Sequence, residues 1–283
     1  MRYCGREFSE HEVQWIRQQI GGSSNRRAIS IGFCEQWGWH KPDGGLKEMS
    51  CRVALLKMHR EGLITLPPAQ RRANLAHKHT KRSMFTGERP PIHKKAGAFD
   101  LHLEMVEKGT LKLWNEFIDR YHYLGYTPLA GAQVRYFVKE HDEPLALLGF
   151  SAAAWKTAPR DAFIGWDAES RTQNLHLVVQ NSRFLVLPWV RSKNLASRIL
   201  SIAAKRLPHD WQSRYGYRPV LLETFVEKAR FEGTCYKAAN WTYLGDTQGR
   251  GKLDIHCERK KPVKAVWVYP LTGTFRRHLG GTQ

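Results

Sequence analysis

The chain has 283 residues, 42% of them hydrophobic, so it is long enough to build a true core in one large domain or two ordinary ones. Forty-five Lys and Arg against 26 Asp and Glu leave a formal charge of +19, a surplus that points to a polyanionic partner. No apolar run reaches the roughly 18 residues of a membrane span, the N-terminus with Arg2, Arg6 and Glu7 lacks a signal-peptide core, and the five cysteines (Cys4, Cys34, Cys51, Cys235, Cys257) form no C-x-x-C pair. These features exclude a disulfide scaffold and a zinc knuckle, and they predict a cytoplasmic protein with reduced thiols and no membrane contact.

Charge and turn residues divide the chain in three. Residues 1–66 carry a net +3, residues 67–99 a net +7 and residues 100–283 a net +9. The first part reads as helices over 10–20, capped by Ser9, over 31–37, capped by Ser30, and over 46–61, with Leu46, Met49, Val53 and Leu56 as an apolar stripe. A strand at Leu63–Leu66 would follow. That order is the order of a winged helix-turn-helix-like domain, whose third helix enters the major groove, so Lys47, Arg52 and Lys57 are candidates for phosphates or base edges. A helical packing domain with a solvated basic face fits the same pattern.

Residues 67–99 open on Pro67-Pro68, contain Pro90-Pro91 and lack periodic apolar residues, which reads as a basic linker. Arg71, Arg72, Lys78, Lys81 and Arg82 are its candidate phosphate contacts. His77 and His79, the nearest approach to a metal-like pair, fall there too, and no metal site is expected.

Beyond residue 100 the pattern is α/β: a helix over 111–124, a hairpin of 133–139 with 145–152, a strand over 183–190, a helix over 194–207 and a strand over 220–226. A short helix over 234–240 and strands near 243 and 264–269 complete it. The strand-to-helix step F-L-V-L-P-W-V followed by R-S-K-N-L-A resembles the R-x-x-G-x-A motif of the GNAT acyltransferases, with Asn194 in the glycine position. That resemblance implies a GNAT-like mixed-sheet domain that holds acetyl-CoA or another CoA thioester on Arg191, Ser192, Lys193, Asn194, Leu195 and Ala196. A helix N-terminus offers free N–H groups to a pyrophosphate, which is the physical reason for such a loop.

A longer resemblance rests on Y-H-Y-L-G at 121–125, L-G-F-S-A-A-A-W at 148–155, N-S-R-F-L-V-L-P-W-V at 181–190, R-P-V-L-L-E-T-F-V at 218–226 and G-T-C-Y-K-A-A-N-W at 233–241. These stretches look like the DruA family, which is linked to the Druantia antiphage defence system and occurs near mobile elements and transposases. The last stretch, continued through T-Y-L-G, also resembles the phage Mom proteins, GNAT-like enzymes that modify adenine in DNA. Together they imply duplex DNA as partner, with defence or transposition proteins as further partners, and an acyltransferase relative acting on a nucleobase. A non-catalytic accessory factor remains an alternative.

Acyl transfer to an exocyclic amine calls for a base, a donor for the departing thiolate and a dry pocket. Glu223, in the apolar strand L-L-E-T-F-V, is the first candidate base; bonded to backbone or to an arginine, it would be structural instead. Tyr236 matches the tyrosine that GNAT enzymes set beside the sulfur, and His122 is an alternative acid or base. Tyr121 and Tyr123 could stack on a base, while Arg171, Asn174, Arg183, Asn240 and Trp241 could line a nucleic-acid cleft. A transposase or nuclease would need clustered carboxylates, for which Asp161, Asp167 and Glu169 are the candidates.

Overall fold

Ser9 caps the first helix as its spacing to Glu12 dictates: the Ser9 N–H donates to Glu12 Oε2 at 2.7 Å and the Glu12 N–H to Ser9 Oγ at 3.3 Å. The computed structural model describes residues 1–22, 25–68, 83–249 and 262–281. It divides into two compact units, Met1–Thr80 and Lys81–Gln283.

In the first unit a hairpin of β1 (Arg2–Tyr3) and β2 (Arg6–Glu7) precedes α1 (Glu10–Gly22), α2 (Arg26–Gln36) and α3 (Glu48–Arg60). Helix α2 starts five residues before its expected position, because Asn25 rather than Ser30 is the cap: Asn25 Oδ1 accepts the Arg27 N–H at 2.9 Å. Ser30 lies inside the helix and donates to the Arg27 carbonyl. The stripe of α3 is also rotated. Cys51, Ala54, Leu55 and Met58 are buried, whereas Met49 and Val53 are 62% and 45% exposed. Cys and Ala are small but among the residues most often fully buried, and a stripe read from the larger apolar side chains misses them. Leu63–Leu66 is irregular and not a strand. Its Leu66 N–H bonds His59 Nδ1 at 3.3 Å, so a side chain meets the need that a strand partner would have met.

The second unit takes in residues 83–99, which composition assigned to the linker. The Ser83 N–H bonds Glu116, Thr86 Oγ1 donates to Glu116 Oε1 at 2.7 Å, and β3 (Ile92–His93) pairs in parallel with β8 (Val190–Arg191). Arg71, Arg72, His77, Lys78, His79, Lys81, Arg82 and Cys257 lie outside the described residues.

Seven strands form the sheet: β4 (His102–Met105), β5 (Gln133–Glu140), β6 (Glu143–Ala152), β7 (Val178–Val186), β9 (Leu221–Glu227), β10 (Thr242–Asp246) and β11 (Lys264–Pro270). Their order is β10-β11-β9-β7-β6-β5-β4, and only β7 and β9 run parallel. Helix α7 (Leu195–Tyr215) makes the crossover between them. This is the mixed sheet that the GNAT resemblance implies. Alternation along β5 sorts the flanking helices: Phe137 meets Phe117 of α4 (Leu111–Tyr121) edge-on at 6.3 Å, while Tyr136 donates to Asp210 of α7 at 2.9 Å. Trp114, Phe117 and Ile118 of α4 are buried, each contributing about 1.5–3 kcal/mol by leaving water.

Three short helices had no counterpart in the sequence pattern. These are α5 (Ala158–Ile164), α6 (Ala168–Asn174) and α9 (Phe275–Leu279); apolar residues of α5 and α9 join Val178, Leu221 and Val268 in a separate cluster. Helix α7 runs past Pro208, where its expected end lay. Burial of Leu207 and Trp211 with the Tyr136–Asp210 bond offsets the roughly 3 kcal/mol that a helix-interior proline costs.

Candidate functional site

The parallel strands β7 and β9 pair only over Val178–Gln180 with Leu221–Glu223. Beyond that point they part, while β7 stays paired to β6 and β9 to β11. Register with β6 shifts between Gly149↔Arg183 and Phe150↔Asn181, so Ser182 is the extra residue of a β-bulge, a device that re-aims side chains beside functional sites. Between the parted strands lies a cavity of about 700 Å³. Its walls come from β7, from β9, from the loop after α4 and from α8 (Thr234–Ala238).

At its floor the Tyr236 hydroxyl donates to Asn181 Oδ1 at 2.8 Å, and Thr224 Oγ1 donates to the Asn181 carbonyl at 3.0 Å. Burial pushes the Tyr236 hydroxyl above its usual range, so it keeps its proton at neutral pH. Gly233 precedes α8 with φ +77°, and a Cβ there would lie 2.9 Å from the Trp267 ring, which is why the turn that aims Tyr236 takes glycine.

His122 lines the same cavity. Burial, followed by the charge of Arg183, lowers its imidazole to about 4. Its Nδ1 accepts the Leu124 N–H at 3.2 Å, which assigns the ring proton of the neutral form to Nε2. In that state its Nε2 is a hydrogen-bond donor and not a base. Tyr121, Tyr123 and Arg183 line the cavity as well, together with Arg230, Phe231 and Glu232, the only carboxylate of the lining among the described residues.

Glu223 is elsewhere. Strand alternation turns it to the opposite face from Thr224, where it is fully buried: Glu223 Oε2 accepts from Arg160 at 3.0 Å and Oε1 from the Ala154 N–H at 3.0 Å. It is therefore bonded to an arginine and to backbone, the structural alternative that its strand position left open. Arg160 in turn donates to Asp161 Oδ1 at 2.7 Å. Arg171 joins at 3.6 Å from Asp161, and the Asp167 side chain accepts the Ser170 N–H as the cap of α6. Of the carboxylates that a nuclease would need, Asp161 is thus engaged in ion pairs, Asp167 in a cap and Glu169 with the Gln173 amide at 3.2 Å, and no group of three His, Cys, Asp or Glu among the described residues could hold a metal ion.

Arg191, Ser192, Lys193, Leu195 and Ala196 line a second cavity of about 830 Å³ at the start of α7, with His93, Lys94 and Lys95 opposite. Asn194 caps α7 in the left-handed conformation, φ 63° and ψ 9°. This is the backbone state that glycine would supply, and asparagine is among the few other residues that adopt it routinely. Val186 lines both cavities, so they adjoin at the end of β7. The loop, its cations and the adjoining recess fit a CoA thioester.

The remaining candidates of the second unit do not line the Tyr236 cavity. Trp241 is buried against Tyr236, ring centroids 5.1 Å apart, and lines a different cavity with Lys237 and Tyr243. Asn240 is exposed, and Asn174 bonds the Leu279 carbonyl on α9. In the first unit Lys47 precedes α3, Arg52 pairs with Glu48 at 3.5 Å and Lys57 is exposed. Sequence reasoning missed Asn181, Thr224, Arg230 and Phe231. Asn181 opens one of the stretches that carry the family resemblance, but β7 begins five residues before its expected start, and nothing in the sequence marks the bulge.

The family model described as Druantia protein DruA matches residues 57–269. The chain belongs to this family. No curated protein matches it. Among solved structures, a probable acetyltransferase from Staphylococcus epidermidis is 10% identical, covering 61% of this chain and 99% of its own, with a TM-score of 0.39. The polyamine N-acetyltransferase of Drosophila melanogaster is 12% identical over 60% and 100% of the two chains, TM-score 0.39. An aminoglycoside acetyltransferase solved in complex with coenzyme A is 14% identical over 60% and 95%, TM-score 0.38. In this DruA-family chain no helix among the described residues is long and apolar enough to cross a membrane.

Proposed function

We propose that this chain is a DNA-acting acyltransferase of the defence-linked DruA family: the first unit and the basic segment after it dock on duplex DNA, and the second unit carries an acyl group to an exocyclic amine of a nucleobase. The observation that carries this reading is the pair of adjoining cavities. One is cationic and opens at the start of α7; the other ends on Tyr236.

Arg191, Lys193 and Lys95 with the first N–H groups of α7 would hold the pyrophosphate of a CoA thioester. When bound, that group supplies an activated acyl carbon. Tyr236, kept protonated by burial and held by Asn181 Oδ1, would turn its phenolic proton to the departing sulfur, and the proton shed by the attacking amine would restore the phenol. Apolar walls from Phe184, Leu185 and Val226 exclude water. An exocyclic amine is uncharged at neutral pH, so attack needs no prior removal of an ammonium proton, in keeping with a cleft whose one lining carboxylate among the described residues, Glu232, is exposed.

Titration calorimetry of the full chain with acetyl-CoA is expected to give heat, and nucleosides from DNA incubated with both should gain an acyl mass. Tyr236→Phe should lower that turnover about 100-fold. Absence of both the heat and the mass change removes the transferase reading. A second reading, a non-catalytic DNA-recognition factor of a defence or transposition system, is favoured by the removal of Glu223 from the cleft into its pair with Arg160. It requires that Tyr236→Phe leave function intact.

A further inference from the structure

Around the mouth of the cavity that ends on Tyr236 are groups that neither proton donation nor the loop before α7 uses. Arg183 is half-buried, donates to the Ser182 carbonyl at 2.7 Å and to Thr127 Oγ1 at 2.6 Å, and its Nε is buried without an acceptor. Among the described residues it forms no ion pair with a carboxylate, whereas Arg6 pairs with Glu12 and Arg171 with Asp161. A guanidinium partly removed from water without a counter-ion is costly, and an anionic ligand group would remove that cost.

Beside it are aromatic rings. Tyr123 stacks on His122 with centroids 4.8 Å apart and planes inclined by 27°. Phe231 meets Tyr123 edge-on at 5.3 Å and stays 49% exposed, an unusual exposure for a large apolar ring at a cavity rim. The Arg230 guanidinium lies 5.3 Å from the Tyr123 ring and is tied to Glu227 at 3.2 Å. A flat apolar face and an unpaired cation at one opening select a ligand that is planar at one end and anionic at the other.

We infer that this mouth holds one unpaired nucleotide, its base against Phe231 and Tyr123 and its phosphate on Arg183. This rests on reading the cavity as the acceptor side of the transfer site, and it specifies that acceptor. A ring face takes any base through its π surface, the guanidinium takes the phosphate oxygens, and about 700 Å³ gives room for both. A base within a duplex reaches such a recess only after it is flipped out of the stack, so single-stranded or locally opened DNA is the preferred form.

The test is photochemical cross-linking of the full chain to a single-stranded oligonucleotide that carries iodouracil, with adducts mapped by mass spectrometry of peptides. Adducts are expected on Tyr123 or Phe231. Their yield should drop about tenfold in Arg183→Gln and in Phe231→Ala, the latter an exposed position that leaves the core intact. A duplex of the same sequence should compete more weakly than the unlabelled single strand. Adducts confined to other residues, or yields that neither variant moves, overturn the proposal. Acetyl-CoA calorimetry on the same proteins separates the two claims. Heat with no adduct at Tyr123 or Phe231 overturns the nucleotide site alone; adducts that both variants weaken, with neither heat nor an acyl mass gained by DNA, support that site and overturn the transfer reading.

Discussion

Glu223 and Arg160 form an ion pair in which both side chains are fully buried. Replacing the carboxylate by an amide leaves buried Arg160 with Asp161 for its charge and weakens one charged hydrogen bond, so Glu223→Gln should cost about 2 kcal/mol in a denaturant titration while leaving acetyl-CoA heat unchanged. Were Glu223 a base, the same change would abolish turnover without that loss of stability. His122 carries a prediction of opposite origin. Its imidazole is held near 4 when folded against an ordinary 6.5, so the unfolded chain binds the proton first as pH falls. The neutral ring stabilises the fold fully above 6.5, and that contribution is lost as pH drops through the window down to 4. The denaturation midpoint of the wild type should therefore fall between pH 7 and pH 4, and His122→Asn should flatten part of that fall.

At the scale of elements, the entry to α7 is the informative case. Asn194 occupies a left-handed backbone position at its cap, which costs a residue with a Cβ and no compensating side chain about 1 kcal/mol. Asn194→Gly is thus expected to hold or raise the melting temperature, and Asn194→Ala to lower stability by that amount, as read by calorimetric unfolding. The loop that resembles the acyltransferase motif was legible from residue order, including its departure from glycine. Whether asparagine could hold the shape was not, because a dihedral is set by the strand before it and the helix after it. The reverse holds for Glu223: its strand was legible, but its partner Arg160 lies 63 residues away in a helix that no periodicity marks. The bulge at Ser182 was invisible for a similar reason. Register is a relation between two strands, and a single strand's pattern carries only its faces.

For the whole molecule the question is where +19 acts. The first 66 residues carry +3 and residues 67–99 carry +7, so sequence-independent affinity for DNA should come chiefly from that short segment. Neutralising Arg71, Arg72, Lys78, Lys81 and Arg82 is expected to lower the slope of log affinity against log salt by up to about 4.5, at about 0.9 for each phosphate left without its cation. An unchanged slope in a fluorescence titration would locate the charge elsewhere.

Charge, helix and strand periodicity, and the motif order around 184–200 were determined by the sequence by itself, because each is a local property of neighbouring residues. From them came the α/β class of the second part, the three helices of the first, and the family resemblance that the match over residues 57–269 bears out. The tertiary structure decided which face of α3 is buried, that residues 83–99 belong to the second unit, and which side of the sheet Glu223 serves. It also decided that Tyr236, Asn181, Arg183 and Phe231 surround one cavity. These depend on where β7 and β9 part, and two strands separate only where neither offers the other a partner, a fact that neither strand's residues contain alone.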